Sequence, residues 1–283
     1  MLISNFKLIL LVILLILFIL LAIYLFKYLY SNSSIQYVSN RYMKNIINKS
    51  IYFNKMSRLD LIARKSGSSE DYKNKYYNSL IAFNNADKSK LEKCIKNIDY
   101  KIRKYKNLYA IDWKFAKVSN DIELGYPHTL EDTIVLSPKF LETPEDQMTI
   151  TLLHEKIHIY QRKYPLETEE LILNVLEYKI KSVDPDILEL ARNNPDINNL
   201  NYGKDDYVIL QIYNNFSPKS IADSRLVKVT DKNIQDYTPE TENMQHMHMQ
   251  YEHPYEIMAC YLPHIIIKGE FLEKTNKWME KYL

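Results

Sequence analysis

The longest hydrophobic run of the chain lies near its amino terminus. All residues from Leu8 to Phe26 are apolar, with Lys7 before them and Lys27 after them. A helix over this run would be roughly 28 Å long, which is close to the hydrocarbon thickness of a bilayer. A signal-peptide core is shorter than this run and is followed by small residues. The pattern predicts an uncleaved single-pass transmembrane anchor within residues 1–30, so that the membrane is one partner of the chain.

The sequence leaves the orientation of this anchor open. Basic residues after the run, at Lys27, Arg41 and Lys44, favour a cytosolic location for the rest of the chain. Three N-glycosylation sequons favour a lumenal location instead. The sequons begin at Asn32, Asn48 and Asn215.

Residues 31–107 show patterns that are typical of helices. Three helices are predicted, over Ile35 to Arg64, Ser69 to Asn84 and Asp87 to Tyr105. A Ser-Gly-Ser stretch around Gly67 separates the first two, and Asp87 is a plausible N-cap for the third. We therefore expect a helical membrane-proximal region over residues 31–107.

Strand patterns begin after residue 107. β-Branched and aromatic residues predict strands over Asp112 to Ser119 and Thr133 to Leu136, joined through the turn-like segment that contains Gly125. Some later segments show helical patterns and others show strand patterns. Helices are predicted over Pro165 to Lys181, Pro185 to Asn193, Pro254 to Leu262 and Phe271 to Tyr282, and strands over Tyr207 to Tyr213 and Arg225 to Thr230. The chain is thus predicted to be α+β, with one domain over residues 108–283.

A further helix is predicted immediately after these first two strands. Thr143 has the residue type of an N-cap, and Pro144 suits the first helical position. The helix should continue to about Arg162, because Pro165 disfavours helical geometry in the residue before it. Apolar residues near helical period give this helix a face that can pack against the predicted sheet.

This helix carries the motif His154-Glu155-Lys156-Ile157-His158. Residues at i and i+4 project from one face of a helix, so both histidines can reach one metal ion. Zinc lowers the pKa of a bound water to about 7, and a neighbouring carboxylate can accept its proton. The motif therefore predicts Zn²⁺ as cofactor, His154 and His158 as ligands and Glu155 as general base.

The stretch from Thr151 to His158 resembles the zincin metallopeptidases. The resemblance implies a small sheet packed on the motif helix, peptide hydrolysis, and a substrate that lies extended along the edge strand, which would be the segment from Thr133 to Ser137. The segment from Gly125 through the helix is also similar to metallopeptidase-like proteins of large DNA viruses.

A catalytic zinc needs a third protein ligand. The metzincin pattern, with a glycine and a third histidine shortly after the second, is absent, because no histidine or glycine follows closely after His158. Pro254 would begin a later helix that carries Glu256, and the small Ala259 would let that helix approach closely. This E-x-x-A pattern resembles the ligand helix of the gluzincins, which implies Glu256 as the third ligand. Other donors remain open alternatives: His246, His248, Glu252 and His253.

Three further residues are candidates for contacts with the transition state or the substrate, by residue type alone: His128, Tyr255 and His264. Arg192 could bind a substrate carboxylate, although a solvated arginine before the turn at Asn194-Pro195-Asp196 is the simpler interpretation.

Composition narrows the function further. Lys and Arg number 37 and Asp and Glu number 35, so no basic surface for nucleic acid is indicated. Two cysteines, Cys94 and Cys260, exclude a disulfide scaffold. The leading hypothesis is a membrane-anchored zinc metallopeptidase that acts on a peptide or protein substrate. The alternatives are a membrane-anchored interaction protein with an inactive or structural zinc site, and a hydrolase of another bond.

Overall fold

The computed structural model describes residues 13–21, 33–198, 200–231, 233–238, 251–269 and 272–283. Two compact units divide the chain, one up to Ser33 and one over Ser34–Leu283. Within the first unit, helix α1 is described over residues 13–21.

The structure contradicts the predicted transmembrane anchor over Leu8 to Phe26. None of the helices in the described residues is both long and apolar enough to cross a bilayer. The rest of the predicted run, residues 8–12 and 22–26, lies outside the described residues. The predicted single-pass membrane localisation is therefore wrong.

The second unit contains both helices and sheets, which confirms the α+β class. Its helices are α2 (Asn40–Lys49), α3 (Ile51–Asn54), α4 (Arg58–Ala63), α5 (Ser69–Asn78), α6 (Asn85–Ile102), α7 (Lys106–Tyr109), α8 (Pro138–Leu141), α9 (Glu145–Lys163), α10 (Pro165–Glu170), α11 (Pro185–Leu188), α12 (Pro254–Lys268) and α13 (Glu273–Tyr282). Its strands are β1 (Ile35–Tyr37), β2 (Trp113–Lys117), β3 (His128–Leu130), β4 (Thr133–Leu136), β5 (Lys179–Lys181), β6 (Asn201–Lys204), β7 (Tyr207–Tyr213), β8 (Ser224–Thr230) and β9 (Asn233–Asp236).

The first sheet has the strand order β1-β2-β4-β3. β1, β2 and β4 run parallel, and β3 pairs with β4 in antiparallel orientation. The strand over Thr133–Leu136 is therefore an inner strand, so the expectation that Thr133 to Ser137 forms the substrate-binding edge is wrong. The edge nearest the motif helix is β3, a three-residue strand too short to give a recognisable alternation.

The second sheet, β5 to β9, is an antiparallel meander in sequence order. It belongs to the chain segment between His158 and Glu256. The predicted strands over Tyr207 to Tyr213 and Arg225 to Thr230 are confirmed within one residue. The helix predicted over Pro165 to Lys181 ends earlier: α10 ends at Glu170, a π-helical turn follows over Leu171–Val175, and β5 begins at Lys179.

Helix α9 lies at the centre of the main core. It begins at Glu145, and Thr143 does not cap it, because the Thr143 hydroxyl donates to the carbonyl of Phe140 instead. The apolar side chains of α9 pack with those of β2, β4, α6 and α12 in one buried cluster. Ala259 of α12 is fully buried in this cluster, where its small side chain allows α12 to lie close to α9. β1 and α6, which precede residue 107, pack with β2 and α9, which follow it. The domain boundary predicted at residue 107 stays a prediction.

Candidate metal centre

The two motif histidines converge at the cleft side of α9. Their Nε2 atoms lie 2.9 Å apart, as expected for positions i and i+4 of one helix. The side chain of His158 is completely buried, whereas that of His154 is 13% exposed. The pair thus has one member in the core and one at the floor of an open cleft.

Helix α12 brings a carboxylate to the same point. Oε2 of Glu256 lies 3.3 Å from Nε2 of His154 and 3.4 Å from Nε2 of His158. The side chain is buried, and no described residue donates a hydrogen bond to Oε2. Among the described residues, these three side chains form the group whose donor atoms could hold a metal ion.

Two of the other proposed ligands are engaged by different partners. Glu252 binds Arg192 and Asn194. His253 is the N-cap of α12: its Nδ1 accepts from the main-chain N–H of Tyr255, and its Nε2 lies 3.0 Å from the carbonyl of Leu200. His246 and His248 lie outside the described residues.

Each donor has a second partner that fixes its orientation. Nδ1 of His158 donates to Oε1 of Gln161 at 2.8 Å, and Nε2 of Gln161 donates to the carbonyl of Tyr255. Nδ1 of His154 lies 3.7 Å from the thiol of Cys260. Oε1 of Glu256 accepts a 2.7 Å hydrogen bond from Asn194. In all three cases the atom left to face the centre is the one that could bind a metal.

The charges of the three groups depend on one another. Burial alone would raise the pKa of Glu256, but His158 and His154 lower it well below its usual range. Burial alone would lower the pKa of His154, but the neighbouring Cys260 and the Glu256 carboxylate raise it well above its usual range. A cation bound among the three donor atoms would likewise favour the charged carboxylate of Glu256.

Glu155 lies beside this group at the cleft. Its carboxylate is buried, and its Oε2 accepts no hydrogen bond from the described residues. Burial, with the charge of Asp196 next in size, raises the pKa of Glu155 well above its usual value. A raised pKa means that this carboxyl group holds a proton more readily than an exposed glutamate does.

The three other candidates occupy different positions. His128 is buried with both ring nitrogens engaged: Nε2 lies 2.7 Å from the Tyr76 hydroxyl, and Nδ1 lies 3.0 Å from the carbonyl of Tyr126. The hydroxyl of Tyr255 accepts from Asn198, and Tyr255 packs with Tyr202. His264 lines the cleft but lies eight residues beyond Glu256 on the same helix, about 12 Å along its axis. His128 and His264 thus line the cleft that contains His154, whereas Tyr255 is not among the residues that line it.

The cleft around the histidines has a volume of about 890 Å³. Its lining includes His154, Glu155 and Glu256 at the floor, and side chains of the second sheet and the β7–β8 connection, such as Ile221 and Leu226, on one wall. The outer edge of β3 borders this cleft, but it is not free for strand pairing. Pro127 has no N–H group, and the N–H of Thr129 donates to the buried carboxylate of Asp196.

Comparisons with protein-family models, with curated proteins and with solved structures find no match for this chain. The resemblances to zincins and to viral metallopeptidase-like proteins therefore stay predictions that rest on the motif.

Four supporting residues were not identified as such from the sequence: Gln161, Asn194, Arg192 and Cys260. Gln161 follows His158 by three residues on the same helix, which is a usable signal for a contact. Cys260 also carries a usable signal, because it follows Glu256 by four residues on the same helix. Arg192 is not a solvated arginine, because its guanidinium donates to both carboxylate oxygens of Glu252 at 2.9 Å. Asn194 lies in a loop and carries no local signal.

Proposed function

We propose that this chain is a zinc-dependent metallopeptidase in which His154, His158 and Glu256 bind zinc and Glu155 is the general base. The observation that carries the proposal is the triangle formed by the three donor atoms, with sides of 2.9, 3.3 and 3.4 Å. Ligands about 2.0–2.2 Å from a tetrahedral zinc are separated from one another by about 3.3 Å. The spacing therefore suits three ligands of one tetrahedral ion.

The chemistry of the donors supports zinc in particular. Two imidazole nitrogens with one carboxylate oxygen are a common set for catalytic zinc, whereas calcium and magnesium prefer oxygen ligands. Oε2 of Glu256 also fits a bound cation, since it accepts no hydrogen bond from the described residues and such a buried carboxylate oxygen is costly.

The open cleft favours a catalytic centre over a structural one. A structural zinc is closed by four protein ligands, and the described residues supply three. Zinc at this position would acidify a bound water and polarise a substrate carbonyl. Glu155 would be the residue that accepts a proton and returns it to the leaving amine, because its carboxylate is buried and the residue lines the cleft beside His154.

The walls of the cleft constrain how a peptide would bind. Since Asp196 occupies the N–H of Thr129, strand pairing along β3 is not available there. We therefore propose that the substrate is held mainly through side chains, with His264 and the second sheet as contacting surfaces.

Peptide hydrolysis by the purified chain tests this function. Cleavage of a peptide library would be followed by mass spectrometry, with zinc content measured on the same samples. Glu155→Gln should retain zinc and lose cleavage by a factor of at least about 10². Glu145→Gln is the matched control, because Glu145 is an exposed carboxylate on the same helix. Full activity of Glu155→Gln would reject the mechanism.

A further inference from the structure

Asn194 links the proposed third ligand to a second carboxylate. Its Nδ2 donates to Oε1 of Glu256 and to Oε1 of Glu252, each at 2.7 Å. Its Oδ1 accepts from the main-chain N–H of Asp196 at 2.9 Å. An N–H group can only donate, so this last contact requires the oxygen of the amide on that side and the nitrogen on the side of the carboxylates.

This contact divides the roles of the two oxygens of Glu256. Oε1 is held by Asn194, and Oε2 faces the two histidines. A carboxylate can bind a metal through one oxygen or through both. With Oε1 committed to a buried amide, only Oε2 is available to a metal.

We propose that Asn194 is a positioning residue that keeps Glu256 a one-oxygen ligand and so preserves an open coordination position. The proposal rests on the metal centre proposed above. Without the Asn194 amide, Oε1 of Glu256 would be free to turn toward the same ion and fill the coordination position that a reacting water needs.

The orientation of Asn194 is fixed from both sides. Glu252 is held by Arg192, whose guanidinium donates to both of its carboxylate oxygens. The preceding residue, Asn193, is held by two residues at the end of α4. Its N–H donates to Oδ1 of Asp60, which lies in α4, and its carbonyl accepts from Arg64, which directly follows α4. Asp60 and Arg64 are themselves buried and paired with each other at 2.8 Å.

This arrangement connects distant parts of the chain to the site. Asp60 and Arg64 bind the main chain of Asn193, and the next residue, Asn194, binds Glu256. Helix α12, which carries Glu256, packs on α9. Asn194 is also 92% buried, so water cannot readily replace its amide. A packed amide of this kind has a defined orientation, which is what a positioning role requires.

Cobalt(II) provides the test, since it replaces zinc and its visible absorption is stronger in four-coordinate than in five-coordinate sites. The wild-type protein, Asn194→Ala and Asn198→Ala would each be loaded with cobalt(II) alone. Asn198 is the matched control because it is an asparagine of the same loop whose amide binds Tyr202 and Tyr255. We expect intense absorption from the wild type and from Asn198→Ala, and a several-fold weaker band from Asn194→Ala.

The outcomes separate the two proposals. An unchanged spectrum in Asn194→Ala would overturn the positioning role and leave the metal centre intact. A wild-type protein that binds no cobalt(II) or zinc would overturn both. If Asn194→Ala does not fold, a zinc-bound wild-type structure decides the matter: Glu256 binding through one oxygen supports the proposal, and binding through both overturns it.

Discussion

Gln161 holds His158 from the side opposite the proposed metal. Its Oε1 lies 2.8 Å from Nδ1 of His158, which leaves Nε2 of that ring facing His154 and Glu256. Gln161 also donates to the carbonyl of Tyr255, the residue before Glu256. One side chain thus ties the histidine helix to the glutamate helix.

Replacing Gln161 should weaken metal binding. Gln161→Leu removes the acceptor for Nδ1–H, and loss of such a partner typically costs 10- to 100-fold in affinity. Gln161→Glu keeps an acceptor and should lose much less. Zinc affinity, measured by competition with a chelator, checks both variants. Gln147→Leu, at an exposed position of the same helix, is the control; equal affinities of Gln161→Leu and this control would contradict the role.

Cys260 should support His154 in a similar way. Its sulfur lies 3.7 Å from Nδ1 of His154, so the thiol can accept that proton when Nε2 faces the metal. Cys260→Ser keeps an acceptor and should bind zinc nearly as well as the wild type, whereas Cys260→Ala should bind about 10-fold less tightly. Cys94→Ala is the matched control, because Cys94 is buried away from the centre and should alter thermal stability alone. Identical zinc affinities of the serine and alanine variants of Cys260 would argue against this contact.

Acid stability should depend on Glu123. This buried carboxylate accepts from Arg64, Tyr52 and Tyr72. Burial alone would raise the pKa of Glu123, but Arg64 dominates and lowers it to about 2, from an ordinary value of 4.5. Because the pKa is lower in the folded state, this group stabilises the fold fully above about pH 4.5 and loses that contribution as the pH falls toward 2.

The difference in pKa corresponds to at most about 3 kcal/mol. The unfolding free energy of the wild type should therefore fall more steeply between pH 5 and pH 2 than that of Glu123→Gln. Denaturant titrations at several pH values measure this slope. Glu142→Gln, at an exposed position, should keep the wild-type slope. A wild-type slope in Glu123→Gln would show that this carboxylate is not the source of the acid sensitivity.

The sequence predicted the parts of the site that depend on local spacing. His154 and His158 lie on one helix face because their spacing is four residues, and α9 ends at Lys163, close to the predicted end before Pro165. Pro254 begins α12 as predicted, and the small Ala259 permits the close packing that brings Glu256 to the histidines.

The parts that could not be predicted depend on contacts between distant residues. Asn194 is placed by Asp60 and Arg64, and no periodicity connects these positions. β1 pairs with β2 across some 75 residues and lies where a helix was expected. The anchor prediction over Leu8 to Phe26 rested on hydropathy alone, and none of the helices in the described residues can span a bilayer.

The most direct test of the account is a crystal structure of the purified protein with zinc, with anomalous scattering recorded at the zinc edge. We predict one anomalous peak about 2.0–2.2 Å from Nε2 of His154, Nε2 of His158 and Oε2 of Glu256, with water as the fourth ligand. Absence of a peak at these three atoms, or a fourth protein ligand that closes the site, would contradict a catalytic zinc centre.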